Sequence, residues 1–174
     1  MSNEQSEELE KIVGLDAVFG KDARVLILGS MPGAESLRIS EYYGNKRNHF
    51  WKIMYSLFGQ AELTNYEEKM SFLKEHKIAL WDVIHSCNRK GSLDSNIKNE
   101  EPNDIPELLK SNPSIKLIAC NGTKSFATFK KYFGGHTFDG IDIIKLSSSS
   151  PVPGKYNKTV EGKIEEWRVI KEYL

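Results

Sequence analysis

Short apolar runs alternate with amphipathic stretches along the chain, and that alternation predicts the architecture. Residues 24–29, Arg-Val-Leu-Ile-Leu-Gly, form an apolar run closed by glycine, the pattern of a strand covered on both faces. Runs of the same kind at 78–83, 115–120 and 141–146 predict three further strands. Phe50, Trp51, Ile53, Met54, Leu57 and Phe58 recur at helical spacing, which predicts an amphipathic helix over residues 48–58 that ends at Gly59. Met70 and Leu73 share one face of a helix over 66–75, and shorter or less regular patterns predict helices over 106–111, 123–133 and 164–174. Residues 7–19 read as a helix or coil packed on the outside, 89–99 as a polar loop, and 147–156 as a second loop. No internal repeat or linker interrupts the series. Strand and helix in alternation imply an α/β fold, a mostly parallel sheet with helices on both faces.

Composition narrows this picture. With 174 residues, 39% of them hydrophobic and 28% charged, the chain is long enough for one sizeable core and too short for two comfortable domains. A single domain over residues 1–174 is expected, with 1–20 as a peripheral segment. No apolar run approaches the roughly 20 residues that span a bilayer, and the acidic start lacks the basic and apolar regions of a signal peptide. A cytoplasmic protein with no membrane partner is therefore expected. Cys87 and Cys120 both lie in or beside apolar runs, which predicts buried free thiols and no disulfide, metal or other cofactor.

Lys and Arg number 24, as do Asp and Glu. A net charge of zero counts against a nucleic-acid partner, because phosphate neutralisation dominates such affinities. Local clusters oppose that argument: Lys46-Arg47, Arg89-Lys90, Lys130-Lys131, and Lys155 with Lys158 fall in predicted loops or at element ends. Each also fits ordinary solvated surface.

The candidate chemistry begins at the end of the first strand. Gly29-Ser30-Met31-Pro32-Gly33 puts a tight loop at the carboxyl end of a parallel strand, where open α/β sheets bind ligands. A plain strand-to-helix turn accounts for the Gly and Pro content equally well. An anion-binding module would use the same loop, but no Walker lysine or second glycine fingerprint follows it.

Other segments accompany this loop. They are Ser36-Leu37, Tyr42-Tyr43, Asn48-His49-Phe50-Trp51-Lys52, Leu80-Trp81-Asp82-Val83, residues 89–94, Cys120-Asn121-Gly122-Thr123-Lys124, and the loop at 147–153. Together they resemble the uracil-DNA glycosylase superfamily, most closely its hypoxanthine-DNA glycosylase branch. The 48–52 run is also similar to the mismatch-specific uracil and thymine glycosylases. The resemblance covers residues 23–170. It implies a three-layer α/β/α sandwich around a four-stranded, mostly parallel sheet. It also implies a cofactor-independent, monofunctional glycosylase that acts as a monomer on double-stranded DNA containing a damaged or mismatched base.

Such a reaction builds positive charge on the sugar and negative charge on the departing base, so it needs a positioned water and hydrogen-bond donors to the base. The target must also leave the stack, which calls for an aromatic platform and a wedge. The mismatch enzymes hold their water with an Asn at the position of Met31, and a thioether cannot replace it. The hypoxanthine branch likewise lacks that Asn and carries its important amide in the Asn-x-Phe-Trp motif, which makes Asn48 the water-positioning candidate. A helix N-cap is the competing role for Asn48, and the two roles are compatible.

Tyr43 matches the stacking aromatic of the relatives, with Tyr42 packed inward and Phe50 and Trp51 in the core. The backbone amides of Ser30 and Met31 are candidates for the base carbonyl, and Asp82 for a proton-bearing ring nitrogen. A turn or helix-cap aspartate fits Asp82 equally well. His85 lies near this motif but reads more readily as a structural donor. Residues 147–153 align with the superfamily's DNA-intercalation loop, where Ser148, Ser149 and Ser150 are candidates for phosphate contacts and Pro151 and Val152 for the wedge. A polar surface loop is the plain alternative there. Leu146 stands where relatives often carry His or Asn, so no leaving-group donor is expected from it. Met31 and Leu146 together also fit a DNA-binding relative with weak or no catalysis. Asn121-Gly122 reads as a structural turn. Uracil and hypoxanthine share a carbonyl beside an N–H, so these motifs do not select between them. A flat purine gains more from stacking in an apolar pocket, which favours hypoxanthine.

Overall fold

The computed structural model describes residues 10–151 and 158–174. Its elements run β1 (Lys11–Val13), β2 (Val25–Gly29), α1 (Ala34–Ile39), α2 (Phe50–Phe58), α3 (Tyr66–Glu75), β3 (Ile78–Asp82), β4 (Ile84–Asn88), β5 (Lys98–Pro102), α4 (Ile105–Ser111), β6 (Leu117–Asn121), α5 (Thr123–Phe133), β7 (Asp142–Leu146) and α6 (Val160–Trp167). Single 3-10 segments lie at Asp94–Asn96 and Arg168–Tyr173.

Every residue of β2 is buried, as its uninterrupted apolar sequence requires. Alternate side chains feed two separate cores. Val25 and Ile27 point into one with Phe50, Ile53, Leu80 and Trp167, while Leu26 and Leu28 point into the other with Ile118, Phe129 and Ile105. The strand order β3-β2-β6-β7 is parallel throughout. The result is the expected three-layer α/β/α arrangement, with α2, α3 and α6 supplying one outer layer and α4 and α5 the other.

A second, smaller sheet lies outside this frame. β1, β4 and β5 pair antiparallel in the order β1-β4-β5. This corrects the reading of residues 7–19 as helix or coil at Lys11–Val13, which is a strand, and ends the polar loop of 89–99 early, since Lys98 already begins a strand. The strands are short and largely polar; β5 is Lys-Asn-Glu-Glu-Pro, and its pairing rests on backbone hydrogen bonds. Met31, Ile84, Cys87 and Ile97 form a small apolar cluster beneath this sheet. Helix α1 was also unforeseen. It has six residues and stops at Ser40, whose φ of 57° ends the helical path. The closing helix starts earlier than predicted, at Val160 behind a Thr159 cap that accepts from Gly162 N–H, and it tightens into 3-10 geometry after Trp167. Both cysteines are buried free thiols, and burial pushes Cys120 up to about 12. No helix among the described residues is long and apolar enough to cross a membrane.

Candidate functional site

Three adjacent parallel strands end at one level on a glycine, an acid and an amide. In the register of the sheet Gly29 lies opposite Asp82, while Leu28 pairs with Cys120, the neighbour of Asn121. The loops that follow these strand ends surround a cleft of about 640 Å³, within the usual range for a small-molecule site. Ser30, Met31, Tyr43, Asn48, Asp82 and the 148–151 loop all line it. Residues separated by more than a hundred positions thus converge at the carboxyl edge of the sheet, where open α/β folds place ligands. Val152 lies outside the described residues.

Tyr43 occupies the left-handed region at φ 53°, an uncommon conformation for a bulky residue. That backbone turn separates it from Tyr42. The Tyr42 ring is buried and its hydroxyl donates to the Asp16 carbonyl at 2.7 Å. The Tyr43 ring instead lines the cleft, backed by Phe50 in a stacked contact with centroids 3.9 Å apart. Burial and the nearby Asp82 hold the Tyr43 hydroxyl protonated well above the ordinary tyrosine range. Phe50 and Trp51 are core residues, as the helical stripe implied.

Asn48 stands just before α2. Its Oδ1 accepts from Phe50 N–H at 2.9 Å while the side chain lines the cleft. The N-cap position of α2 belongs to His49, so Asn48 holds the first helical N–H from one residue outside, and that bond leaves the second acceptor position of the amide oxygen and both amide hydrogens for other partners.

Asp82 is 4% exposed, and its Oδ2 has no hydrogen-bond partner. Its carboxyl lies directly over Gly29, where any Cβ would collide with Oδ1. Burial raises the Asp82 pKa to about 7, with Asp94 adding to the shift and Arg89 opposing it. Asn103 fixes the strand end by donating its amide to the Asp82 carbonyl at 2.8 Å. Asp94 was not anticipated as part of the site. It arrives from the 3-10 turn and accepts from the Ser30 hydroxyl at 2.6 Å. No local sequence signal links residues 64 positions apart.

The largest omission is Asn121, read from sequence as part of a turn. Its Nδ2 donates to the Tyr43 hydroxyl at 3.1 Å and to Ser149 Oγ at 2.9 Å, while its Oδ1 accepts from Ser149 N–H at 2.9 Å. One amide therefore ties the aromatic wall to the serine loop. Gly122, at φ 97°, follows it and lets the loop pass close by, since a Cβ there would meet Ser148 Cβ at 3.0 Å. Ser149 is buried at 1% exposure, with its hydroxyl oxygen accepting from Asn121. All three serines, Ser148, Ser149 and Ser150, lie on the cleft wall.

The loop is anchored on its other side as well. His49 N–H donates to the Ser149 carbonyl at 2.9 Å, and buried Lys163 of α6 reaches the Ser150 carbonyl at 3.2 Å and His49 Nδ1 at 3.1 Å. Burial, with Lys163 next in effect, lowers the His49 pKa. A lysine inside an amphipathic helix gives no sequence sign of this grip. Leu146 is a core residue at the end of β7, 2% exposed, so its side chain supplies nothing polar to the cleft.

Not all the basic clusters belong to the site. Arg47 lines the mouth of the cleft. Arg89 is a correction, for it is buried and donates to the carbonyls of Pro32 and Gly91, so it braces the first loop and is no surface contact. Lys130 and Lys131 sit at the far end of α5, where Lys131 pairs with Glu100. Lys158 pairs with Glu166, and Lys155 lies outside the described residues. His85 is exposed on the small sheet, within reach of Asn103, and does not line the cleft. No group of three or more His, Cys, Asp or Glu that could hold a metal occurs among the described residues.

Comparison with known proteins adds an independent line. The sequence profile of the Uracil DNA glycosylase superfamily matches residues 17–171. A hypoxanthine DNA glycosylase from Methanosarcina acetivorans is 36% identical over 158 residues, 90% of this chain and 96% of that protein. A hypoxanthine DNA glycosylase from Methanosarcina barkeri is 40% identical over 113 residues, 64% of this chain and 72% of its own length. The solution NMR structure of a protein from Methanosarcina acetivorans described as a uracil DNA glycosylase superposes with a TM-score of 0.78 at 34% identity, covering 93% of this chain and 97% of that one.

Proposed function

The chain belongs to the uracil DNA glycosylase superfamily, and on that premise we propose that its cleft takes a deaminated base flipped from double-stranded DNA, hypoxanthine ahead of uracil, and hydrolyses the glycosidic bond. It is a DNA glycosylase. The observation that carries the site assignment is the convergence of Asn48, Tyr43 and Asp82 on one cleft at the carboxyl edge of the sheet. In this reading the chain works as a single-domain monomer in the cytoplasm and needs no cofactor.

Each wall of the cleft has one task. The flipped base stacks on Tyr43, which Phe50 keeps from tilting away. Backbone amides of the Ser30-Met31 turn face the base carbonyl. Met31 itself is 7% exposed and packs against the small sheet, so it fixes the turn and leaves hydrogen bonding to the backbone. Asp82 accepts from the ring N–H. The free acceptor position of Asn48 orients the water that attacks C1′ as the bond to the base lengthens. Ser148 and Ser150 meet the flanking phosphates while Pro151 fills the space the base has left.

Single-turnover release from duplexes carrying hypoxanthine, uracil, xanthine or thymine opposite each normal base tests the assignment. Hypoxanthine release from inosine·thymine is expected to match or exceed uracil release from uracil·guanine. Uracil released more than tenfold faster would overturn the purine preference, and an intact glycosidic bond in every duplex would overturn the catalytic reading. The platform is checked separately. Tyr43→Ala should weaken processing by about 1–3 kcal/mol, the usual range for loss of a stacking ring. Tyr43→Phe should cost less, losing only the hydroxyl that Asn121 reaches. Equal losses in the two variants would assign the role to the hydroxyl.

A further inference from the structure

Leu146 leaves the departing base without the polar group that the loop after the last strand would provide, yet the cleft contains one buried polar atom with nothing to bond to, Oδ2 of Asp82. We propose that Asp82 works as a neutral carboxylic acid whose O–H donates to the carbonyl of the flipped base, so that this side chain is the leaving-group donor of the site. The inference rests on the glycosylase reading and specifies how its base edge is read.

Geometry carries the argument. A protonated carboxyl presents a carbonyl oxygen beside an O–H, and the lactam edge of hypoxanthine or uracil presents an N–H beside a carbonyl. The two edges pair in a closed ring of two hydrogen bonds, with one carboxyl oxygen accepting from the ring N–H and the other donating to the base oxygen. An ionised carboxylate has only acceptors. It would put two lone-pair-bearing oxygens against that edge and a negative charge against a base that is becoming an anion, from a carboxyl that is buried from solvent. The surroundings favour the neutral form. Asp82 is buried against the Gly29 backbone, and Asp94 adds a like charge from the 3-10 turn. Arg89 is the one cation that opposes the shift; its Nε and Nη2 are committed to the Gly91 and Pro32 carbonyls, while its Nη1 is buried without a hydrogen-bond partner. The pKa near 7 agrees with this arrangement. Buried acids kept neutral to donate to a developing oxyanion are known in other enzymes.

The step balances without a co-reactant. The C1′–N bond breaks and its electron pair leaves with the base, whose oxygen takes up the Asp82 hydrogen bond and then the proton. Water adds its oxygen to C1′ and releases a proton to solvent. Once the base departs the carboxylate recovers a proton from solvent, leaving free base and an abasic site.

The test is the pH profile of kcat/KM for an inosine-containing duplex between pH 6 and 9, since this constant follows the ionisation of the free enzyme. For the parent protein it should fall above pH 7 by about tenfold per unit, as the acid titrates. Asp82→Asn offers an amide N–H that does not titrate. It should be slower than the parent at pH 6, flat across the range, and faster than the parent at pH 9. His49 does not account for such a limb, because its pKa is lowered from a starting point already below 7. A parent profile that is flat or rises with pH overturns the proposal, and so does an Asp82→Asn profile that keeps the falling limb. In either case excision itself would still stand. Absence of excision at every pH would instead overturn the glycosylase reading.

Discussion

Replacing Asn48 with Ala is expected to slow single-turnover excision by about 10²-fold or more while leaving affinity for an abasic-site duplex nearly unchanged. The asymmetry follows from the role, because a group that holds the attacking water contributes in the transition state and little to ground-state binding. Asn48 also accepts from Phe50 N–H, so the substitution removes that hydrogen bond and about 0.5–1.5 kcal/mol of stability with it. Asn48→Ser separates the two effects. A serine hydroxyl can cap the same N–H, but it is too short to hold a water where the amide oxygen does. Melting temperature should therefore recover in Asn48→Ser while excision stays low. Near-normal excision in either variant would move the water to another residue.

Gly29→Ala is expected to be nearly as damaging despite adding a single methyl group. That methyl would drive into Asp82 Oδ1 and lie 3.3 Å from the Tyr43 hydroxyl, so it strikes the base edge and the platform together. Neither can retreat readily. Asp82 is buried with its strand end held by Asn103, and Tyr43 is braced by Phe50 and Asn121. Overpacking of this kind costs about 1–3 kcal/mol of stability, and a displacement near 1 Å at reacting groups costs about 10²-fold in rate. A variant that melts a few degrees lower and excises at a few per cent of the parent rate is the expected outcome, read by thermal melting and single-turnover kinetics. Excision within threefold of the parent would show that the close approach of Asp82 to Gly29 has no functional weight.

How far the sequence reveals this depends on what each element buries. The two central strands were legible because they are covered on both faces and so carry nearly unmixed apolar runs, Val25–Gly29 and Leu117–Asn121, while the edge strand Asp142–Leu146, mostly half-buried or exposed, was marked by its three aliphatic residues. The small antiparallel sheet was not, because β5 buries little and holds its place through the backbone. Helix α1 is too short for a periodic signal. Within the site, the loops that begin at Gly29 and Asn48 stood out through their composition, and the structure gathers both at the cleft. Asn121, Asp94 and Lys163 did not stand out, since an asparagine at a strand end, an aspartate in a polar loop and a lysine in a helix are common surface residues. Their involvement depends on contacts with partners 28 to 114 positions away. Burial also reversed the reading of Arg89, whose neighbours in sequence resemble an exposed basic patch.

The bond pattern of Asn121 constrains how this enzyme can change over generations. Its single amide holds both the Tyr43 ring, proposed above to receive the base, and the backbone of the serine loop, proposed to meet the duplex. A lineage that reshapes Tyr43 for a different base therefore disturbs the grip on DNA, and one that rebuilds the serine loop loosens the ring. New specificity should arise through paired replacements on either side of this residue, or through replacement of the residue itself, and rarely through one-at-a-time drift.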